Sequence, residues 1–201
     1  MGGTAMRVEV GVAFMALTMA RTVCLAQGGA RAQNFETISV AGGVDLPVAD
    51  SYEGIWVVLP GGFGRASTNF YGGHAHLAIL LYDNDNEDQP VPDFLVLQGE
   101  AGWGYALHLP ADVEVVGGAH FGAIRFHFSD NEQFEGFLQD ETEWTAGLFA
   151  RLQVPIARRI AGVTEFHWSH VFTAEPISLT RLQIGLTFTF SSPEWLRGFL
   201  Q

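Results

Sequence analysis

Apolar side chains alternate with small or polar ones along several stretches of the chain. In residues 94–109 the odd positions are mostly apolar, as at Trp103, whereas the even positions include small or polar residues from Gln98 onwards, as at Glu100. Residues 144–154 and 182–190 repeat this pattern. A period of two over nine or more residues indicates a β-strand with two unlike faces. Such strands are long enough to cross a bilayer when tilted.

Weaker alternation elsewhere brings the predicted strands to eight. Residues 113–128 keep one parity only with a β-bulge near Gly122 and Ala123, since Phe121 is odd and Ile124 even. This shift would also turn Arg125 into the lumen. Whether the first strand joins the barrel stays open. The predicted strands are 35–44, 52–63, 71–82, 94–109, 113–128, 144–154, 160–172 and 182–190.

The connections between these strands alternate in length. Residues 83–92, 129–143 and 173–176 are polar, acidic links, whereas 110–112 and 156–159 are tight. Outer-membrane barrels have this asymmetry, with short periplasmic turns and longer external loops.

The composition of the polar face indicates which face points outward. A soluble lipocalin-like barrel that binds a ligand would alternate too, with its apolar face inward. Here the polar face holds Gly, Ala, Thr and Gln with isolated charges, which suits the narrow lumen of eight strands. We therefore predict an all-β fold, an eight-stranded antiparallel transmembrane β-barrel. Its expected lumen network is Glu100, Glu114, Arg151, Glu165 and Arg181.

The two ends of the chain lie outside the predicted barrel. Residues 1–32 have the features of an export signal, with Arg7 before an apolar stretch and cleavage after Ala26 or Ala32. The barrel is expected at 33–190. Residues 191–201 form a periplasmic tail that is either a short interfacial helix or a frayed end.

The charge balance excludes one class of partner. The chain has no Lys, ten Arg and 22 carboxylates, for a net charge of -12. Nucleic acid is excluded because little here could neutralise phosphates. We expect no cofactor. The only cysteine, Cys24, falls within the export signal, so the mature chain would have no disulfide.

These features together resemble the small eight-stranded outer-membrane β-barrels of Gram-negative bacteria. The resemblance covers residues 35–190 and includes a last strand ending in an aromatic residue, Phe190. It implies an outer-membrane location, contact with outer-membrane lipid and lipopolysaccharide, and recognition by the outer-membrane assembly machinery. Eleven residues follow Phe190 here, which departs from the family pattern.

A second resemblance is local. The segment His167-Trp168-Ser169 is similar to the His-x-Ser element of the lipid A deacylases, which implies His167 as base and Ser169 as nucleophile, facing lipid. In that family a Glu on the following strand completes the site, but here Arg181 stands near the position where that Glu should lie, and parity turns the pair towards the lumen. Glu165 or Glu175 could substitute only with altered geometry. We favour a structural role for His167 in a lumen network, and therefore no residue is favoured as catalytic.

Two groups of residues suggest metal binding. Asp83, Asp85 and Glu87 lie in an acidic segment similar to the start of a calcium loop, but a solvated loop tip is favoured. Several histidines could face the lumen, where a hydrogen-bond network is favoured over a metal site. They are His74, His76, His108, His120 and His167.

The leading functional hypothesis is a non-enzymatic barrel, not a pore, with a structural role or a role in surface binding through its loops. The alternatives are a lipid A acyl-ester hydrolase using Ser169 and His167, and a soluble lipocalin-like barrel.

Overall fold

The computed structural model describes residues 35–50, 56–70, 73–86, 93–128, 140–173 and 177–195. The predicted export signal and its cleavage site lie outside these ranges. Among the described residues, no helix combines the length and apolar character needed to cross a membrane.

The described residues form one antiparallel sheet that closes on itself. Its strand order is β2-β4-β3-β1-β9-β8-β7-β6-β5, and a β4–β5 pairing closes the ring. Since β2 and β3 both pair with β4, they act as one interrupted strand. Counted in this way, the barrel has eight strands. The strands are β1 Thr37–Asp50, β2 Trp56–Val58, β3 Gly61–Phe70, β4 Gly73–Asn86, β5 Phe94–His108, β6 Glu114–Phe128, β7 Glu141–Ala157, β8 Ile160–Val171 and β9 Ile177–Ser191.

The eight predicted strands are confirmed, with one displaced. The first strand does belong to the barrel, because β1 pairs with both β3 and β9. The second was predicted at residues 52–63, but its longer part, β3, continues to Phe70. The outward positions of β3 include Gly64 and Ala66, which give no apolar signal.

The predicted bulge in β6 is wrong. The register of β6 with β5 and with β7 runs without a shift from one end to the other. Ile124 and Phe126 therefore point into the lumen, and Arg125 points outward. The alternation misled because bulky apolar side chains fill this part of the lumen.

The two ends of the barrel differ. At the end that we call the loop end, the segments between strands are 51–55, 87–93, 129–140 and 172–176. At the opposite turn end they are 71–72, 109–113 and 158–159. A turn of 3-10 helix, Pro110–Asp112, lies within the second of these. The predicted asymmetry of connections is therefore confirmed.

The outer face of the barrel is apolar, and the inner face carries the buried charged side chains, as predicted. Exposed side chains include Leu77, Phe121 and Phe188, whereas the buried set includes three arginines. A soluble lipocalin-like barrel would have the reverse arrangement, so that alternative is wrong.

An apolar cluster fills the lumen towards the loop end. Its position follows from the register, since Phe94 pairs with Asn84 and Phe128 at the start of β5. Its buried members are Tyr82, Phe94, Val96, Ile124, Phe126, Val171 and Leu179.

The C-terminal tail is described only as far as Trp195. Glu194 and Trp195 are helical, and the rest of the predicted tail helix lies outside the described residues. Ser192 is buried, and its backbone N–H donates to the Glu36 carbonyl oxygen at 2.9 Å.

Candidate functional site

Three arginines and two carboxylates form buried ion pairs on the lumen face. Arg65 donates to Glu165 at 2.7 Å, and Arg151 donates to the same carboxylate oxygen at 2.5 Å. Arg181 lies 3.3 Å from Asp45. All five side chains are buried. The Arg65–Glu165 pair joins β3 to β8 across the barrel interior, whereas the other two pairs join neighbouring strands, β7 to β8 and β1 to β9.

A second group of buried side chains surrounds Glu100. His167 Nε2 lies 3.0 Å from Glu100 Oε2, and His120 Nδ1 lies 3.2 Å from the same oxygen. His76 Nε2 lies 3.5 Å from Glu100 Oε1. Gln98 donates its amide N–H to Glu100 at 3.2 Å. We call Glu100, His76, His120 and His167 the imidazole cluster.

Two glycines make room for the imidazole cluster. A Cβ atom at Gly102 would overlap the ring of His76, and one at Gly147 would overlap the ring of His120. The register explains both contacts, because Gly102 is paired with His76 and Gly147 is paired with His120. The small residues of the lumen face, first evident as alternation, therefore determine where the bulky polar rings fit.

Ser169 and His167 lie at the edge of this cluster. Ser169 Oγ is 3.4 Å from His167 Nδ1, and Glu100 lies on the other ring nitrogen. Gln98 also donates to Ser169 Oγ, at 3.3 Å. A hydroxyl, an imidazole and a carboxylate thus stand in the order that nucleophilic catalysis requires.

The surroundings of Ser169 oppose catalysis on lipid. Ser169 and His167 are each only 1% exposed, and both point into the lumen as parity predicted. An ester of a membrane lipid on the outer face of the barrel has no contact with either side chain.

The partners expected for His167 need correction. Arg181 is paired with His167 in the register, but its guanidinium bonds Asp45 and lies over the Tyr82 ring. Glu165 is held by arginines instead of His167. The carboxylate at His167 is Glu100, on β5.

Other predicted site residues lie away from the cluster. Glu114, at the turn end of β6, is partly buried and accepts a bond from Gln153 at 3.0 Å. Glu87 and Glu175 lie outside the described residues. Asp83 and Asp85 belong to strand β4, so they do not form the predicted loop tip.

One polar group stands at the outer surface near the loop end. Asp140 accepts hydrogen bonds from His127 at 2.8 Å and from Arg125 at 3.0 Å. These bonds, from His127 first, hold the pKa of the Asp140 carboxyl below its ordinary value. All three side chains are well exposed, so the group adds little to stability.

Sequence reasoning missed Asp45 and Arg65. Asp45 follows the predicted end of the first strand, and Arg65 falls between two predicted strands. The alternation of Phe63, Arg65 and Ser67, all buried, is the signal that could have found the latter.

Comparisons with known proteins agree on the fold alone. No protein-family model matches the sequence, and no curated protein matches it. The structure is similar to the outer membrane protein OprG from Pseudomonas aeruginosa, with a TM-score of 0.58 and 11% identity over 78% of this chain and 97% of that one. Neisserial surface protein A has a TM-score of 0.58 and 15% identity, covering 77% and 97%.

A major outer membrane protein from Thermus thermophilus is also similar, with a TM-score of 0.50 and 13% identity over 77% of this chain and 98% of that one. The likeness in each case spans nearly the whole of the known structure. With its eight strands, apolar exterior and buried charged side chains, this chain has the fold of the small eight-stranded outer-membrane β-barrels.

Proposed function

We propose that this protein is a bacterial outer-membrane barrel that does not conduct and that binds positively charged partners through its loop-end segments. The observation that carries the proposal is the filled lumen. Buried ion pairs occupy its middle, one of them crossing from β3 to β8, and an apolar cluster fills it towards the loop end. A lumen occupied in this way favours a function on the outer surface instead of along the axis.

The charge of the loop end supports the choice of partner. Residues 83–93 contain five carboxylates and residues 129–143 contain six, with no Lys or Arg in either segment. At the turn end, by contrast, Arg158 and Arg159 are adjacent. Concentrated negative charge attracts cationic surfaces and raises their association rate.

We expect the purified barrel to show negligible conductance in planar lipid bilayers. The reason is that, in the part of the chain that the structure describes, buried ion pairs and an apolar cluster occupy the lumen. The same preparation should come from the outer-membrane fraction and migrate faster on unheated gels, because a closed barrel resists detergent unfolding. Stable single-channel steps of large amplitude would contradict the first part, and recovery in the soluble periplasm the second.

Binding at the loop end is tested with the folded barrel in lipid nanodiscs. An Arg-rich synthetic peptide should bind, and more weakly as salt rises, whereas a Glu-rich peptide of equal length should not. The variant Asp130→Asn, Glu132→Gln, Glu135→Gln should bind the Arg-rich peptide at least about tenfold less tightly, because it removes half of the negative charges of residues 129–143. The control, Arg158→Gln with Arg159→Gln at the turn end, should bind as the wild type does. Equal affinity of the loop variant would disprove this role.

A second candidate function, lipid A ester hydrolysis, is favoured by the Ser169, His167 and Glu100 geometry alone. Burial of Ser169 and His167 inside the lumen opposes it. We therefore expect wild type and Ser169→Ala, each expressed in a host with fully acylated lipid A, to leave the lipid unchanged by mass spectrometry. Removal of an acyl chain by the wild type and not by Ser169→Ala would establish the enzyme instead.

A further inference from the structure

Glu100 differs from the other buried carboxylates in its partners. The ion pairs of Arg65 and Arg151 are with Glu165, and that of Arg181 is with Asp45. Around Glu100 stand imidazoles, which are charged only when protonated, and the neutral amide of Gln98. A buried carboxylate needs a nearby cation, because desolvation of an isolated charge costs several kcal/mol.

The hydrogen bonding of His120 is a second reason to expect a cation beside Glu100. His120 Nε2 lies 3.1 Å from the Trp168 carbonyl oxygen, which can only accept, so Nε2 carries the proton. In the neutral ring Nδ1 then presents a lone pair. That nitrogen is fully buried, has no hydrogen-bond partner and lies 3.2 Å from Glu100 Oε2. Two electron-rich atoms thus face one another, and a cation placed beside both would turn their repulsion into attraction.

His167 supplies a third donor atom on a third strand. One ligand atom each from Glu100, His120 and His167 lie within 4.8 Å of one another. Two of the separations are 3.0 and 3.2 Å, measured from Glu100 Oε2 to His167 Nε2 and to His120 Nδ1. Tetrahedral zinc with bonds of about 2.0–2.1 Å holds its ligands roughly 3.3 Å apart. These two separations are therefore close to those between the ligands of a zinc site.

The outer contacts of both rings have the pattern found around metal-bound histidines. Such a ring bonds the metal through one nitrogen and donates its other N–H to a carbonyl or another acceptor, which orients it. His120 has the Trp168 carbonyl for this purpose, and His167 has Ser169 Oγ at 3.4 Å. The two rings also stack, with centroids 4.2 Å apart and planes inclined by 22°.

We propose that Glu100, His120 and His167 bind a divalent transition-metal ion in the lumen, with zinc as the preferred ion. Two imidazoles and a carboxylate are a zinc ligand set that leaves one coordination position for water. The ion would neutralise Glu100 and join β5, β6 and β8 from inside the barrel. His76 supports the site without ligating, because Arg151 lies 3.5 Å from its Nδ1 and can only donate to it.

The test measures metal retained by the folded full chain. The barrel is produced in medium containing zinc, purified in detergent, and dialysed against a chelator that removes surface-bound metal. Mass-spectrometric elemental analysis should find about one zinc per chain. Glu100→Gln and His120→Gln should reduce this at least tenfold, with folding of each variant checked by its migration on unheated gels.

His74→Gln is the matched control, because His74 is likewise a buried lumen histidine, two residues before His76 on β4, and lies outside the ligand set. It should keep its zinc. A wild type that retains no zinc would overturn the proposal, since a proton would then supply the cation beside Glu100. Equal loss from His74→Gln and His120→Gln would overturn it too.

A measurement on the wild type alone covers the case in which the variants fail to fold. Cobalt(II) in place of zinc should give intense visible absorption bands, as low-coordinate cobalt does, and two paramagnetically shifted imidazole N–H signals from His120 and His167. Absence of both the bands and the shifted signals after folding with cobalt would refute the site.

Discussion

The variant Glu165→Gln should be destabilised by about 3–5 kcal/mol, which is the usual cost of removing one partner from a buried ion pair. Glu165 is the single carboxylate between Arg65 and Arg151, and all three side chains are buried. An amide keeps the shape but leaves two like charges close together without the carboxylate that both of them contact. Equilibrium unfolding in lipid vesicles by urea, followed by tryptophan fluorescence, measures the loss.

Two further variants show whether charge is the cause. Glu114→Gln removes a carboxylate at the turn end, where the side chain is 22% exposed, and should cost less than about 1 kcal/mol. The triple variant Glu165→Leu, Arg65→Met, Arg151→Met removes the whole ion group and should recover most of the stability. If Glu165→Gln unfolds as the wild type does, the ion group contributes nothing to stability.

Parity along the chain predicted which residues face the lumen wherever the two faces differ in polarity. Glu100, Arg151 and Glu165 were assigned to the lumen in this way, and each is buried there. The same rule failed in β6, because Ile124 and Phe126 are bulky and apolar yet point inward. Hydropathy cannot distinguish lipid from an apolar lumen, since both favour the same side chains.

Contacts across the lumen could not be predicted from parity. Glu100 and His167 are 67 residues apart in the sequence, and Arg65 and Glu165 are 100 apart. Which inward side chains meet depends on the stagger between strands and on which positions are glycine. The resemblance to the lipid A deacylases implied an acid for His167 on the following strand, β9, whereas the carboxylate comes from β5 across the barrel.

The lumen also explains why a catalytic motif alone misleads here. The His167 and Ser169 spacing places both side chains on one face of β8, and that face is the inner one. A residue pair of this kind at an outward position would meet lipid, whereas at an inward position it meets Glu100 and Gln98. Orientation thus determines the chemistry open to the pair.

Replacing Leu77 by Arg should destabilise the membrane-inserted barrel by about 2–4 kcal/mol, the depth-dependent cost of Arg near the bilayer midplane. Leu77 is 66% exposed on the outer face and pairs with Ala101, in the middle of β5. Lipid surrounds this position, so the guanidinium must reach an interface or draw water inward.

The matched change is Leu107→Arg, near the turn end of β5, where the same charge reaches the headgroup region. Leu107 is 51% exposed on the outer face, and Arg there should cost about 0–1 kcal/mol. Both variants are compared with the wild type by reversible unfolding in phospholipid vesicles. If the outer surface faced water instead of lipid, the two substitutions would have similar effects, since each replaces an exposed side chain. A large difference between them in vesicles therefore reports the bilayer itself, and equal stability of the two variants in vesicles would contradict a lipid-facing outer surface.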